Sequence, residues 1–169
     1  LAEARIRDIN PDCRVEAIRE FVDADRLAGL LDDRPDIVID AIDSLNPKIE
    51  LVTAVRTREI SLVSSLGAAL RTDPTMVRVG TLESVRGCPL GSRMRKFLRR
   101  RGVPMDFPCV YSEETLPDPL PVMLAGQGDA YPAALDRGRA RNTLGSLPTL
   151  TGIFGLIAAN TAIRMLIGE

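Results

Sequence analysis

Asp40 and Asp43 stand close together in the stretch DIVIDAIDSLNPK, residues 36–48. Ile37, Val38 and Ile39 precede them as a continuous apolar run, as expected for a strand buried on both faces of a parallel sheet. The two carboxylates then fall at or just past the strand's carboxyl end, the edge at which open α/β sheets bind ligands. Asn46 suits an N-cap and Pro47 a first helical position, so a helix follows directly. Strand, acidic turn and helix together can hold a metal-bound nucleotide. The same spacing also suits plain turn and capping residues, and spacing alone leaves both readings open.

A second group with chemical potential is basic. Arg86, Arg93, Arg95, Lys96, Arg99, Arg100 and Arg101 place seven of the 22 basic residues within one short stretch. Leu90, Met94, Phe97 and Leu98 recur there at helical spacing, and Gly102 and Pro104 stop the run. Those four face inward on such a helix, and most of the cations face out. An outward basic face can engage a phosphate backbone. It can equally be a solvated face paired with acids, although only Glu83 is near in sequence.

The elements that must position these groups alternate in α/β fashion. Arg14 to Val22 reads as a strand, and Asp23 to Leu31 as a short helix with Asp23 as N-cap. The strand at Asp36 and a helix from Pro47 to about Arg58 come next, then a strand at Ile60 to Ser64. Asp73-Pro74-Thr75 is a turn signal. Met76 to Leu82 alternates as a strand, and Phe107 to Tyr111 reads as another. Strands separated by helices argue a parallel sheet with right-handed crossovers, at least over the first 70 residues.

Pro117, Pro119, Pro121, Pro132, Gly126 and Gly128 break the pattern between Ser112 and Ser146. Such a stretch is either a functional flap or a linker. Pro148 to Ile167 is apolar almost all round and near the minimum length for a membrane span. Thr149, Thr151, Asn160, Thr161 and Arg164 argue for a buried helix instead. Gly152, Gly155, Ala158, Ala159 and Ala162 suggest close packing against another element or subunit.

Composition narrows the chemistry. The 169 residues suit one domain, with 45% hydrophobic and 27% charged residues as in ordinary soluble proteins. A net charge of −1 hides the local basic field. The chain has no histidine, and its cysteines, Cys13, Cys88 and Cys109, are far apart. This argues against a structural zinc site, a histidine base and a disulfide framework, and favours a reducing, cytoplasmic setting. Leu1 to Ile9 reads as the end of a helix, with Leu1, Arg5 and Ile9 on one face and no signal-peptide pattern before it. The expectation is a chain whose first part is absent.

INPDC at Ile9–Cys13, DAIDSLNPK at Asp40–Lys48 and DPT at Asp73–Thr75 occur in that order. The PL-x₄-RK-x-LRRRG helix from Pro89 to Gly102 and VYSEE at Val110–Glu114 follow them. Across nearly its whole length the chain resembles the HesA/MoeB/ThiF superfamily of ubiquitin-activating-enzyme-like adenylating proteins. Within it, the tRNA threonylcarbamoyladenosine dehydratase branch is most similar. The resemblance implies the C-terminal part of a Rossmann-like α/β fold, mostly parallel, with flanking helices. Residues 1–70 would be the remainder of the nucleotide-binding unit, and 71–112 a strand–helix–strand extension. Residues 113–146 would be a flexible loop and 147–169 a C-terminal helix.

The resemblance also implies ATP and Mg²⁺, activation of a carboxylate as an acyl-adenylate, a tRNA substrate and a homodimer. Asp43 matches the aspartate beside the phosphates and metal, as catalytic and nucleotide-binding residue. Lys48 matches a nearby basic position, and Ser44, next to Asp43 in the turn, is grouped with them at the nucleotide. Arg93, Arg95, Lys96, Arg99 and Arg100 would contact tRNA. The family's Gly-rich loop, with its acidic ribose contact, arginine and lysine, has no counterpart here, so the stretch alone is expected to be inactive. The branch's D-P-L reads Cys88-Pro89-Leu90 here. Adenylation of a small sulfur-carrier protein and a non-enzymatic dimerisation module are the other readings.

Overall fold

The computed structural model describes residues 1–20, 22–116 and 144–169, without the side chain of Ala24. Most of the expected loop at 113–146 lies outside the described residues. The elements run α1 (Ala2–Ile9), α2 (Ala24–Leu30), β1 (Ile37–Asp40), α3 (Leu45–Thr57) and β2 (Ser61–Ser65). After a 3₁₀ turn at Pro74–Met76 come β3 (Val77–Thr81), α4 (Pro89–Arg100), β4 (Pro108–Ser112) and α5 (Pro148–Ile167).

Local chemistry accounts for most of these boundaries. Asp23 caps α2 by accepting the Arg26 N–H at 3.0 Å. Asp73 caps the 3₁₀ turn through the Thr75 N–H at 2.8 Å, and Pro74 presets its backbone. The start of α3 lies two residues earlier than the Asn46-Pro47 signal implies. Ser44 is the N-cap residue and makes no side-chain cap bond. Pro47 is tolerated inside the first turn because its missing N–H has no partner to lose there.

The four strands lie in the order β1-β2-β4-β3. β1 pairs with β2 and β2 with β4 in parallel, whereas β3 runs antiparallel to β4. The expected parallel unit is therefore closed by one reversed edge strand. One face of the sheet is covered by α3 and α4 around Ile49, Val52, Val55, Leu62, Leu82, Met94, Leu98 and Phe107. The other face carries α5, whose Leu150, Phe154, Ala158 and Ala162 pack on Val63 and Val110. Gly91 lets α4 approach closely, since a Cβ there would stand only 3.0–3.1 Å from Val85 and Leu66 side-chain atoms.

Four expectations are corrected by this packing. Among the described residues β1 is an edge strand and is not buried on both faces; Ile39 is 47% exposed. Arg14 to Glu20 forms no strand and is almost wholly exposed. A strand needs a neighbour's ladder, and none pairs with these residues among those described. Phe97 lies at the rim of α4 and is exposed, not turned inward. α5 is long and apolar enough to cross a membrane, yet only one side of it is buried, against the sheet. Its small residues divide accordingly, with Ala158 and Ala162 buried while Gly152, Gly155 and Ala159 face outward.

Candidate active site at the carboxyl edge of the sheet

Parallel pairing brings the carboxyl ends of β1, β2 and β4 to one edge, together with the start of β3. The register sets Asp40 beside Ser64, and the Ser64 hydroxyl donates to Asp40 Oδ2 at 2.7 Å. Lys48, one turn into α3, reaches back under the edge and meets the same Oδ2 at 2.7 Å. Both charged side chains have no exposed surface. The Lys48 ammonium also donates to the carbonyls of Ile42 at 3.0 Å and Ser65 at 2.8 Å. Asp40 Oδ1 accepts the Ile42 N–H at 3.1 Å. A buried ion pair is tolerable only when its remaining valences are satisfied, and here they are.

Asp43 follows on the outer side of this network. It is exposed, and the Ser44 hydroxyl donates to its Oδ1 at 3.1 Å. The two carboxylates of the DxxD turn thus part company. Asp40 is consumed by the interior, and Asp43 faces the open edge. Lys48, expected to face a nucleotide, lies wholly beneath the turn. Ser64 and Ser65 were not singled out from the sequence. The signal was two serines at the end of an otherwise apolar strand, where a polar side chain needs a partner.

A second network braces the neighbouring loops. Arg71 is buried, and its guanidinium donates to the carbonyl of Glu114 and, at 3.0 Å, to that of Gly87. The Glu114 carboxylate accepts the backbone N–H groups of Thr72 at 2.8 Å and Asp73 at 2.9 Å, and the Thr72 hydroxyl at 3.0 Å. The Asp73 N–H and the other donors at Thr72 hold the Glu114 carboxyl below the usual carboxylate range. Leu70, just before Arg71, adopts a left-handed backbone with φ 61°, a costly conformation for a non-glycine residue. Its N–H donates to the Gly145 carbonyl at 2.9 Å, which brings the segment leading into α5 to this same edge. Arg71 and Glu114 were likewise missed as partners, because nothing local links positions so far apart.

The two buried cysteines are structural. Burial pushes the Cys109 thiol up to about 12. Cys88 is buried and caps α4, its sulfur accepting the Gly91 N–H at 3.4 Å.

The basic cluster splits in two. Arg93, Lys96, Arg99 and Arg100 are exposed along the outer side of α4. Arg95 is turned inward, where its Nη1 donates to the carbonyls of Leu82 at 3.2 Å and Val85 at 2.8 Å. It straps the β3–α4 connection and does not stand with the outward cations. Arg101 pairs with Glu50 of α3 at 2.6 Å. The acid lacking near in sequence is supplied by a helix packed alongside.

Residues 1–169 match the ThiF family model throughout. The chain belongs to the ThiF family. This ThiF-family chain is 31% identical, over 98% of its length, to the tRNA threonylcarbamoyladenosine dehydratase of Escherichia coli (strain K12), of which it covers 64%. It is 36% identical over 68% of its length to the Bacillus subtilis (strain 168) protein of the same name, covering 45% of it. It also superposes on the crystal structures of the E. coli dehydratase TcdA in complex with AMP, at TM-score 0.78, and with ATP, at TM-score 0.77. In both, identity is 29%, and the match covers 98% of this chain and 62% of the other. The chain thus spans less than two thirds of the length of these relatives.

Proposed function

We propose that the protein is an ATP-dependent tRNA threonylcarbamoyladenosine dehydratase that activates its substrate's carboxylate by adenylation. The observation that carries this reading is Asp43, exposed at the carboxyl edge of the parallel sheet of a ThiF-family domain. In the first step a carboxylate oxygen of the modified adenosine attacks the α-phosphorus of ATP and displaces pyrophosphate. Ring closure within the substrate then displaces AMP, which carries off the carboxylate oxygen. The substrate loses one water overall.

Among the described residues no group of three or more His, Cys, Asp or Glu side chains could hold a metal by itself. One exposed carboxylate instead suits Mg²⁺, which takes its other ligands from phosphates and water. When bound, the ion neutralises phosphate charge as pyrophosphate departs. Asp43 is the residue that would hold it, with Ser44 orienting the carboxylate. The test is ATP–pyrophosphate exchange by the intact protein, offered threonylcarbamoyladenosine-containing tRNA or candidate sulfur-carrier proteins. Exchange stimulated by the carrier and not by tRNA would overturn the assignment.

Arg93, Lys96, Arg99 and Arg100 are the side chains we assign to the tRNA backbone, and Arg95 is withdrawn from that set. Lys96→Ala with Arg100→Ala should make the log–log salt dependence of tRNA binding shallower by roughly one to two units, because each lost phosphate contact removes about one counterion release. Filter binding at several salt concentrations measures it, and an unchanged slope would leave the stripe as a solvated face.

We also assign a homodimer, placed in the cytoplasm with its substrate. Support comes from the outer side of α5, where Leu156 is 73% exposed and Ile163, Leu166 and Ile167 are more than half exposed. Exposed apolar patches of this kind mark interaction surfaces. Leu156→Glu with Ile163→Glu should convert the dimer to monomer at micromolar concentration by light scattering. A dimer mass retained in that variant would remove this face from the interface.

A further inference from the structure

We infer that Lys48 is a positioning residue that holds the Asp43 turn in place and never touches nucleotide. This rests on the reading of Asp43 as the phosphate-facing carboxylate. The ammonium has three donors, and three acceptors already surround it: Asp40 Oδ2, the Ile42 carbonyl and the Ser65 carbonyl. Swinging Lys48 outward to a phosphate would strand Asp40 as an unpaired buried charge, with Ser64 as its remaining side-chain partner.

The consequence for Asp43 follows from Ile42, the residue before the Ala41–Asp43 turn ends. Asp40 Oδ1 accepts the Ile42 N–H, and Lys48 accepts nothing but donates to the Ile42 carbonyl. Both backbone polar groups of that residue are therefore tied to the two halves of one buried ion pair. The same ammonium is tied to Ser65 at the end of β2. Turn, β1, β2 and the first turn of α3 thus share a single charged anchor. The exposed carboxylate of Asp43 inherits its position from it. A carboxylate that must meet phosphate charge gains from being fixed in advance, since it then needs no reorganisation during reaction.

The experiment is a double-mutant cycle in the intact protein, read by ATP–pyrophosphate exchange, with Lys48→Met, Asp43→Asn and the two combined. Lys48→Met should lower kcat about ten-fold or more while the KM for ATP stays within about three-fold. In the Asp43→Asn background it should lower kcat by less than about three-fold, because the turn it holds no longer carries the charge. Additive losses would overturn the inference. So would a raised KM with kcat retained, the signature of a direct phosphate contact.

Lys48→Met leaves Asp40 unpaired and threatens the fold, so Ser64→Ala is the milder companion, removing one hydrogen bond from Asp40. Amide hydrogen exchange on both folded variants separates the anchor from the chemistry. The Ile42 amide should exchange about ten-fold faster or more, while amides in the interior of α3 stay protected. An unchanged Ile42 amide would overturn the anchor regardless of activity. A wild-type protein with a protected Ile42 amide and no pyrophosphate exchange on any substrate would sink the adenylation reading and leave the anchor standing.

Discussion

Asp43→Asn in the intact protein lowers ATP–pyrophosphate exchange by about ten- to a hundred-fold, with the folded state unchanged. The size follows from removing one fixed charge aimed at developing phosphate charge, a loss of the order seen when a single electrostatic contact is deleted from an active site. The fold should survive because Asp43 is exposed and sits outside the buried network beneath it. The amide keeps the shape and the contact with Ser44 but not the charge. The measurement is steady-state exchange over a range of Mg²⁺ concentrations. Loss of the carboxylate should also raise the Mg²⁺ needed for half-maximal rate. A variant that exchanges at the wild-type rate at every Mg²⁺ concentration would exclude Asp43 from the mechanism.

The second large effect is on stability, and it comes from the other aspartate. Asp40→Ala removes one partner of a fully buried ion pair and leaves Lys48 charged in the interior. Breaking such a pair costs about 3–5 kcal/mol. For a domain of this size that corresponds to a fall in Tm of roughly 6–20 °C. The Ser64 hydroxyl and the Ile42 N–H lose their acceptor at the same time, which pushes the loss toward the upper end. Replacing both charges, Asp40→Leu with Lys48→Met, should recover much of the loss, because no unpaired charge then remains. Thermal unfolding followed by circular dichroism decides the matter. A single variant within about 3 °C of wild type would show that solvent reaches the pair.

Spacing alone presents Asp40 and Asp43, which lie on one acidic turn, as equals, and only the family resemblance singles out Asp43. Pairing decides: parallel register sets Asp40 against Ser64 and over the reach of Lys48, while three residues later the chain has left the sheet. The sequence puts Lys48 near the acidic turn and leaves its direction open, and the structure runs it beneath the sheet edge. A lysine stem is long enough to face solvent or to run under the sheet edge. The choice depends on which acceptors the neighbouring strand offers, a fact absent from its own segment. Arg95 turns inward for the same reason, drawn to two carbonyls of the preceding connection.

The sequence by itself determined what is local. Hydrophobic periodicity placed α4, the Asn46-Pro47 signal placed the start of α3 to within two residues, and the apolar stretches of α5 and of β1 to β4 lie close to their observed positions. Asp23 and Asp73 marked starts that their side chains do cap. Its ordered motifs, from INPDC to VYSEE, carried the resemblance to the family to which the chain belongs. Tertiary structure alone decided what depends on partners distant along the chain. Among the described residues it made β1 an edge and β3 antiparallel, and it left Arg14 to Glu20 without a strand to join. It exposed one side of α5, and it joined Arg71 to Glu114 across more than forty residues. The physical reason is common to all of these. Local propensity fixes the shape of a segment, but burial and hydrogen-bond satisfaction are settled only by what packs against it.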